Sequence, residues 1–379
     1  MEKIREFWLK RIREGWKKKP IVWLTGVRRT GKTTLCQSLK DKEYYDCELP
    51  AVRRMLEDPE EFLASRKKPI IVLDEIHRLQ NPSEILKIAA DHFHKIKILA
   101  TGSSTLSASD KFRDTLTGRK VEIWLTPMNL ADMQEFNSIE LENRFLKGGL
   151  PSFFLQKKRD DSQYQEWFDS FWAKDVQELF RLERRSSFQR LMELLLLNSG
   201  GIFEATKYAS ACEASRPTIQ NYLTVLEMTH IAQIIRPYNT HKSSEILSAP
   251  KVYGFDTGFV CVFRGWDSLR ASDKGNLWEH FVLNEIQSHI GYGKVKYWRN
   301  KSGHEIDFII EGKRGAVHAI ECKWKAGDLD ASALSSFRAI YPIGKNYIVT
   351  SDTKESYRAK RKNLILDFVS LPELIQNIS

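Results

Sequence analysis

The apolar residues change period several times along this chain, and each change marks a module. Over residues 1–18, Ile4, Phe7, Trp8 and Ile12 recur at helical spacing among Lys and Arg, which predicts an amphipathic basic helix. From residue 19 to 134, short apolar runs at 21–24, 70–73, 96–100 and 121–125 alternate with helical patterns. Such alternation predicts an α/β domain with a mainly parallel, buried sheet. Residues 135–186 read as helical, charged and aromatic, which suits a lid or connector. Within 187–245, an apolar helix from Phe188 precedes a second helix over 203–212. Ser215 and Pro217 then fit the cap and first turn of a third. A strand from Ile231 follows, so the order is that of a winged helix. Its third helix would present Arg216, Thr218, Gln220 and Asn221 to a groove, or the module serves only protein contacts. Residues 246–379 mix helix and strand patterns again. No internal repeat or low-complexity segment interrupts the chain.

Composition narrows the picture modestly. The 379 residues are 42% apolar and 28% charged, as in a globular protein. Lys and Arg outnumber Asp and Glu by 59 to 49, a net charge of +10, which suits a polyanionic partner such as nucleic acid, nucleotide or anionic lipid. No apolar run approaches the roughly 18 residues of a membrane span. The first twenty residues carry eight Lys or Arg and no apolar core, unlike a secretory signal. Five scattered cysteines without a C-x-x-C pair argue against a disulfide framework and a zinc site. The expectation is a cytoplasmic protein with no membrane attachment.

The first chemistry is Gly26-Val27-Arg28-Arg29-Thr30-Gly31-Lys32-Thr33, a G-x-x-x-x-G-K-T loop between a strand and a helix. Its glycines let backbone N–H groups turn toward phosphates. Gly26, Arg29, Thr30, Gly31, Lys32, Thr33 and Thr34 are the expected ATP-binding residues, with Lys32 on the β/γ-phosphates and Thr33 on Mg²⁺. Later, an Ile-Ile-Val-Leu strand ends in Asp74-Glu75. Asp74 would hold the Mg²⁺ shell, and Glu75 would orient a water as general base, which favours hydrolysis over binding alone. A third strand ends in Thr101-Gly102-Ser103-Ser104, where Ser103, or else Thr101 or Ser104, would sense the γ-phosphate.

Leu116-Thr117-Gly118-Arg119 then precedes a strand and Pro127-Met128-Asn129-Leu130. Together with the Arg-rich P-loop, Leu73-Asp-Glu-Ile76, Thr101-Gly-Ser-Ser104 and Gly148-Gly149-Leu150-Pro151, this set resembles a broad family of bacterial and archaeal AAA-type ATPases whose C-terminal domain has an uncertain role. The likeness spans nearly the whole chain. It implies an arginine that completes a neighbouring subunit's site; Arg119 fits by motif and Arg113 is a second candidate. A trans arginine needs a homo-oligomeric ring, with a hexamer favoured.

The last constellation begins with Glu279, which shares a helix face with Val282, Leu283 and Ile286. An acid in an apolar stripe is costly unless it has a partner. Two strands follow, one carrying Asp307 and the next Glu321 and Lys323. This helix–strand–strand order resembles the PD-(D/E)XK nuclease fold. The resemblance implies Asp307 and Glu321 as Mg²⁺ or Mn²⁺ ligands, Glu279 as an auxiliary acid and Lys323 as the catalytic lysine. Trp298, Arg299 and Lys325 would meet a DNA backbone or base, or Trp298 belongs to the core.

The expected protein is an ATP-hydrolysing DNA-processing enzyme, acting on branched DNA or recombination and repair intermediates by structure rather than sequence. The alternative is an ATP-dependent regulatory switch whose C-terminal fold is an inactive DNA- or protein-binding module. A winged-helix transcription factor is a third reading.

Overall fold

Five strands, β1 (Ile21–Thr25), β2 (Lys42–Asp46), β3 (Ile70–Asp74), β4 (Lys97–Thr101) and β5 (Lys120–Trp124), form a parallel sheet in the order β2-β3-β4-β1-β5. Every residue of β1 is buried, as a strand covered on both faces requires. Alternate residues feed two cores. Ile21, Trp23, Ile71 and Leu73 pack with Ile85, Leu86 and Ala89 of α3 (Pro82–His92) on one face. Val22, Leu24, Val72 and Leu99 pack on the other face with α1 (Glu6–Lys18) and with Leu35 and Cys36 of α2 (Lys32–Ser38). The computed structural model describes residues 3–102, 115–177, 180, 182, 184–240, 249–361 and 363–378.

Helix α1 starts later than its apolar spacing predicts. Ile4 is 41% exposed, and the buried stripe is Trp8, Leu9, Ile12, Gly15 and Trp16. Burying two tryptophans, a leucine and an isoleucine is worth on the order of several kcal/mol. The basic helix is thus part of the sheet domain's core rather than a detached arm. Gly15 lies so close to β1 that a Cβ there would stand 2.8 Å from Val22 Cγ2.

Chain contacts divide the molecule into two compact units. One comprises Met1–Glu140, Leu150–Glu183 and Met228–Ile231; the other comprises Leu141–Gly149, Arg184–Glu227 and Ala232–Ser379. The expected connector 135–186 is therefore divided. The first unit keeps α4 (Asp161–Phe171), whose Trp167, Phe168 and Phe171 are buried, and the π-helical turn Trp172–Gln177 after it. The second unit takes the stretch ending at Gly149 because Asp256 holds it there. Asp256 accepts from the Gly149 and Gly258 N–H groups at 2.6 and 2.9 Å, and Arg144 Nη1 lies 3.6 Å away.

The second unit continues through α5 (Arg185–Leu197), β6 (Gly201–Ile202), α6 (Ala205–Ala211), α7 (Arg216–Met228), β7 (Ala232–Ile235) and β8 (Lys251–Gly254). The three strands form an antiparallel sheet in the order β6-β8-β7. Next come α8 (Thr257–Phe263) and the long, largely buried α9 (Ala271–Ile290). A six-stranded sheet is built from β9 (Lys296–Arg299), β10 (Glu305–Glu311), β11 (Val317–Lys323), β12 (Asn346–Thr350), β13 (Tyr357–Arg361) and β14 (Leu364–Val369). Its order is β13-β14-β12-β11-β10-β9, antiparallel from β9 to β11 and parallel from β11 through β12 to β14. A parallel pair needs a crossover, which α10 (Ser332–Ile340) supplies between β11 and β12. The chain ends in α11 (Leu371–Ile378). Among the described residues no helix is long and apolar enough to cross a membrane, and all five cysteines are free and buried.

Candidate functional site

The first site lies where β1 ends. The chain turns through Gly26, Arg29 and Gly31 at φ of 150°, 64° and 92° before α2 begins at Lys32. A Cβ on Gly26 would stand 2.6 Å from the Leu125 carbonyl oxygen, so the close approach of the chain just after β5 dictates glycine there. Gly26, Arg29, Gly31, Lys32, Thr33 and Thr34 line a cavity of about 680 Å³, a volume in the range of small-molecule sites. Thr30 is fully buried, and its hydroxyl bonds the Val27 carbonyl at 2.8 Å. Its side chain therefore braces the loop rather than lining the cavity. The Lys32 ammonium lies along the loop, donating to the Gly26 and Val27 carbonyls at 2.8 and 3.2 Å. Burial lowers its pKa, opposed by the charges of Glu75, Asp175 and Asp74.

Strand β4 stands between β1 and β3, so Thr101 sits between the loop and the acids. Its hydroxyl bonds Asp74 and accepts the Glu75 N–H at 3.0 Å. Asp74 also accepts from the Tyr44 hydroxyl at 2.6 Å. Glu75 occupies the left-handed region (φ 52°, ψ 44°), which costs a non-glycine residue of order 1 kcal/mol or more and is typical of functional positions. Its carboxylate lies 3.2 Å from His77 Nδ1. Burial would raise the Glu75 pKa, but the His77 hydrogen bond and the Lys32, His77 and Arg28 charges outweigh it and keep the carboxyl below its usual value. Glu75 is thus held as a carboxylate beside the cavity, as a general base requires.

Several lining residues carried no sequence signal. Asp175 pairs with Arg28 at 2.8 Å across 147 positions, and Trp167 Nε1 donates to the Arg28 carbonyl at 3.1 Å. Tyr44, His77 and Thr229 also line the cavity. Of the remaining expected residues, Arg119 forks onto Asp91, at 2.7 and 3.0 Å, and bonds the Thr115 carbonyl. Acting on a neighbour's phosphate would require it to release that fork. Ser103, Ser104 and Arg113 lie outside the described residues.

The second site gathers Glu279 of α9, Asp307 of β10, and Glu321 and Lys323 of β11. The register that pairs Phe308 with Ile320 sets Asp307 across from Glu321. Lys323 Nζ lies 2.9 Å from Glu321 and 3.8 Å from Asp307, and the Cys322 N–H donates to Asp307 at 2.8 Å. Burial and the facing Asp307 charge push the Glu321 carboxyl up to about 8. Burial and Asp307 likewise raise Glu279. Burial alone would lower Lys323, but Asp307 and Glu321 outweigh it and raise its pKa. Lys251 of β8, which no motif singles out, bonds Glu279 at 3.0 Å and Glu305 at 2.8 Å with its side chain 4% exposed. The Tyr253 hydroxyl also bonds Glu279.

A hard divalent cation suits this donor set in a limited way. The Glu321 Oε1 atom is buried without a hydrogen-bond partner among the described residues, which leaves that oxygen able to ligate. No three His, Cys, Asp or Glu side chains among the described residues are grouped to hold one ion. Two carboxylates, completed by water and a substrate phosphate, are the usual complement for Mg²⁺.

Other expected contacts divide by exposure. Trp298 is buried against Phe337 and belongs to the core, while Arg299 and Lys325 are exposed. On α7, Arg216, Gln220 and Asn221 are exposed and Thr218 is half-buried. The Thr218 N–H donates to Ser215 Oγ at 3.2 Å, the expected cap.

Comparison with known proteins gives three matches to families. Residues 18–134 match an AAA domain, 138–270 a domain of unknown function (DUF8612), and 274–374 another domain of unknown function (DUF4143). An uncharacterized protein of Mycobacterium tuberculosis is 25% identical over 386 residues, 96% of this chain and 85% of the relative. One of Methanocaldococcus jannaschii is 22% identical over 326 residues, 76% of this chain and 71% of the relative. Among solved structures, a STAND ATPase with a tetratricopeptide repeat sensor from Pyrococcus horikoshii shares 13% identity over 75% of this chain and 44% of its own, with a TM-score of 0.27. The family match and the loop geometry together make residues 18–134 an AAA-type P-loop ATPase domain.

Proposed function

We propose that this protein couples ATP hydrolysis to DNA processing, with a phosphodiester-cleaving site in its second unit. The observation that carries the reading is Lys323 lying 2.9 Å from Glu321 and 3.8 Å from Asp307 across two strands, with Glu279 of a third element near enough for the Asp307 charge to act on it. The run α9-β9-β10-β11-α10-β12, antiparallel and then parallel, supports a PD-(D/E)XK-like domain. The order α5-β6-α6-α7-β7-β8 supports a winged helix.

At the ATPase site, the loop N–H groups and Lys32 hold the phosphates, Thr33 and Asp74 would hold Mg²⁺, and Glu75 takes the proton of the attacking water. Thr101 positions both acids through one hydroxyl. Arg119 or Arg113 from a neighbouring copy would add charge to the transition state in a ring, with a hexamer favoured.

At the second site, Asp307 and Glu321 would hold Mg²⁺ or Mn²⁺, whose chemistry there is Lewis-acid polarisation of the phosphodiester and acidification of a bound water. Lys323, held as an ammonium by Asp307 and Glu321, would orient the nucleophile and stabilise negative charge on the phosphate. Glu279, already engaged by Lys251 and Tyr253, acts as an auxiliary acid.

A second reading is favoured by Lys251 and Lys323, which already neutralise part of the acid cluster. Under it the second unit is an inactive DNA- or protein-binding module controlled by ATP. A paired assay separates the two. Wild type, Glu75→Gln and Asp307→Ala are incubated with Mg²⁺, ATP and single-stranded, double-stranded and branched DNA. Cleavage lost in Asp307→Ala supports the nuclease. No cleavage, with DNA-dependent ATPase, supports the second reading. No cleavage, no DNA binding and DNA-indifferent ATPase overturns DNA processing altogether.

A further inference from the structure

The ATPase family match begins at residue 18, yet a residue ahead of it touches the phosphate loop. Arg5, at the N-terminus of α1, is 5% exposed. Its Nη1 donates to the Thr30 carbonyl at 2.8 Å and its Nη2 to the Thr126 carbonyl at 3.2 Å. The same guanidinium forks onto Asp132, with Nε 2.9 Å from Oδ1. Asp132 is fully buried and is held in turn by the Trp8 indole N–H at 3.1 Å and the Asn129 N–H at 3.2 Å. The planar fork of arginine meets a carboxylate and two carbonyls at once, which a lysine cannot match.

The position of that bond matters for catalysis. In a trans peptide the carbonyl and the following N–H point in opposite directions. Anchoring the Thr30 carbonyl on Arg5 therefore sets the direction of the Gly31 N–H. Gly31 lines the phosphate cavity at φ 92°, and a Cβ added there would meet nothing within 4 Å except Pro151 Cγ at 3.8 Å. The Arg5 bond fixes the carbonyl side of this peptide and with it the aim of its N–H.

We propose that Arg5 is a positioning residue of the ATPase site, fixing the Thr30–Gly31 peptide so that its N–H is aimed at bound phosphate before nucleotide arrives. The inference rests on ATP binding at the 26–33 loop and is independent of the DNA-processing reading. It makes the leading basic helix a part of the nucleotide site, with Arg5 engaged internally rather than on nucleic acid.

The test compares wild type, Arg5→Met, Arg5→Lys, Trp8→Phe and Lys32→Ala by ADP and ATP titration and steady-state ATPase, with thermal unfolding measured in parallel. Losing one aimed donor to a charged ligand should weaken nucleotide binding roughly tenfold or more in Arg5→Met. Arg5→Lys keeps one donor for the Thr30 carbonyl and should recover part of the loss in KM. Trp8→Phe removes a different bond to the same Asp132 and should leave KM within about twofold, whatever its effect on the unfolding temperature. Wild-type KM and kcat in Arg5→Met would overturn the proposal. So would equal KM losses in Trp8→Phe and Arg5→Met, because a purely structural role predicts that equality. Where Arg5→Met does not fold, Arg5→Lys decides: KM raised supports positioning, and wild-type KM overturns it. Unchanged nucleotide binding in Lys32→Ala would instead remove the phosphate-site assignment itself.

Discussion

Asp307 and Glu321 face each other on adjacent antiparallel strands, with Lys323 Nζ 2.9 Å from Glu321 and 3.8 Å from Asp307. Like charges directly across a strand pair repel, and the pair is further deprived of water. Burial, then the Asp307 charge, therefore push the Glu321 carboxyl up to about 8. A folded-state value above the unfolded one means that the native state binds the extra proton. Stability is then full below the unfolded pKa and is lost as pH rises through about 8. Glu321→Gln should gain unfolding temperature over wild type at about pH 9 and little at about pH 5. Millimolar Mg²⁺ should raise the wild-type unfolding temperature at the higher pH but not that of Glu321→Gln. Equal pH profiles for the two proteins would contradict the geometry.

The two acids at the end of β3 should separate binding from turnover. Glu75→Gln keeps the loop and Lys32 intact, so ATP affinity should stay near wild type. Removing a positioned base should cost roughly 10²–10⁴-fold in kcat. Lys32→Ala should lose nucleotide binding itself. Nucleotide titration and single-turnover hydrolysis on the same preparations distinguish the outcomes.

Gly148 is dictated by a neighbour rather than by a turn alone. Its φ is 80°, and a Cβ there would meet Asp256 Oδ1 at 1.9 Å. That carboxylate is buried with Arg144 as partner. Gly148→Ala must displace Asp256 and leave Arg144 uncompensated, which should cost on the order of 3–5 kcal/mol. Chemical denaturation should show the loss in the unfolding transition of the second unit. A variant within about 1 kcal/mol of wild type, roughly the size of an ordinary surface substitution, would refute this account.

His280 should make the second unit acid-sensitive. Burial, reinforced by the Arg144 charge, pushes its pKa down to about 3. A depressed histidine leaves the folded state neutral while the unfolded chain takes up a proton below its ordinary value near about 6.5. Stability is therefore present above about pH 6.5 and falls as pH drops toward about 3, by up to about 1.4 kcal/mol per unit. His280→Phe should flatten the urea midpoint between about pH 6.5 and about pH 4.5. A slope unchanged by the substitution would assign the acid sensitivity to other groups.

How much of this is legible in the sequence follows from the range of each interaction along the chain. The G-x-x-x-x-G-K-T loop, the Asp74-Glu75 strand end and the apolar runs of the parallel sheet are local patterns, so residue types and spacing suffice to find them. The Glu279, Asp307, Glu321 and Lys323 set is also readable, because strand alternation and helix periodicity reveal acids placed in apolar stripes. Spacing alone starts α1 too early, because Ile4 continues the helical period while lying outside the helix.

The sequence by itself therefore determined which short segments hold the candidate chemistry: the phosphate loop, the acids at the end of the third strand, and the three acids and lysine of the second unit. Only the tertiary structure decided what completes each site. Strand order inserted Thr101 between loop and acids, Asp175 met Arg28 across 147 positions, and Arg5 met Thr30 across 25. Lys251 reached Glu279 and Glu305 from a strand of another sheet. None of these partners shares a period or a motif with the group it serves. A single long-range hydrogen bond leaves no trace in local spacing, because what selects its two ends is burial and geometry in the folded chain.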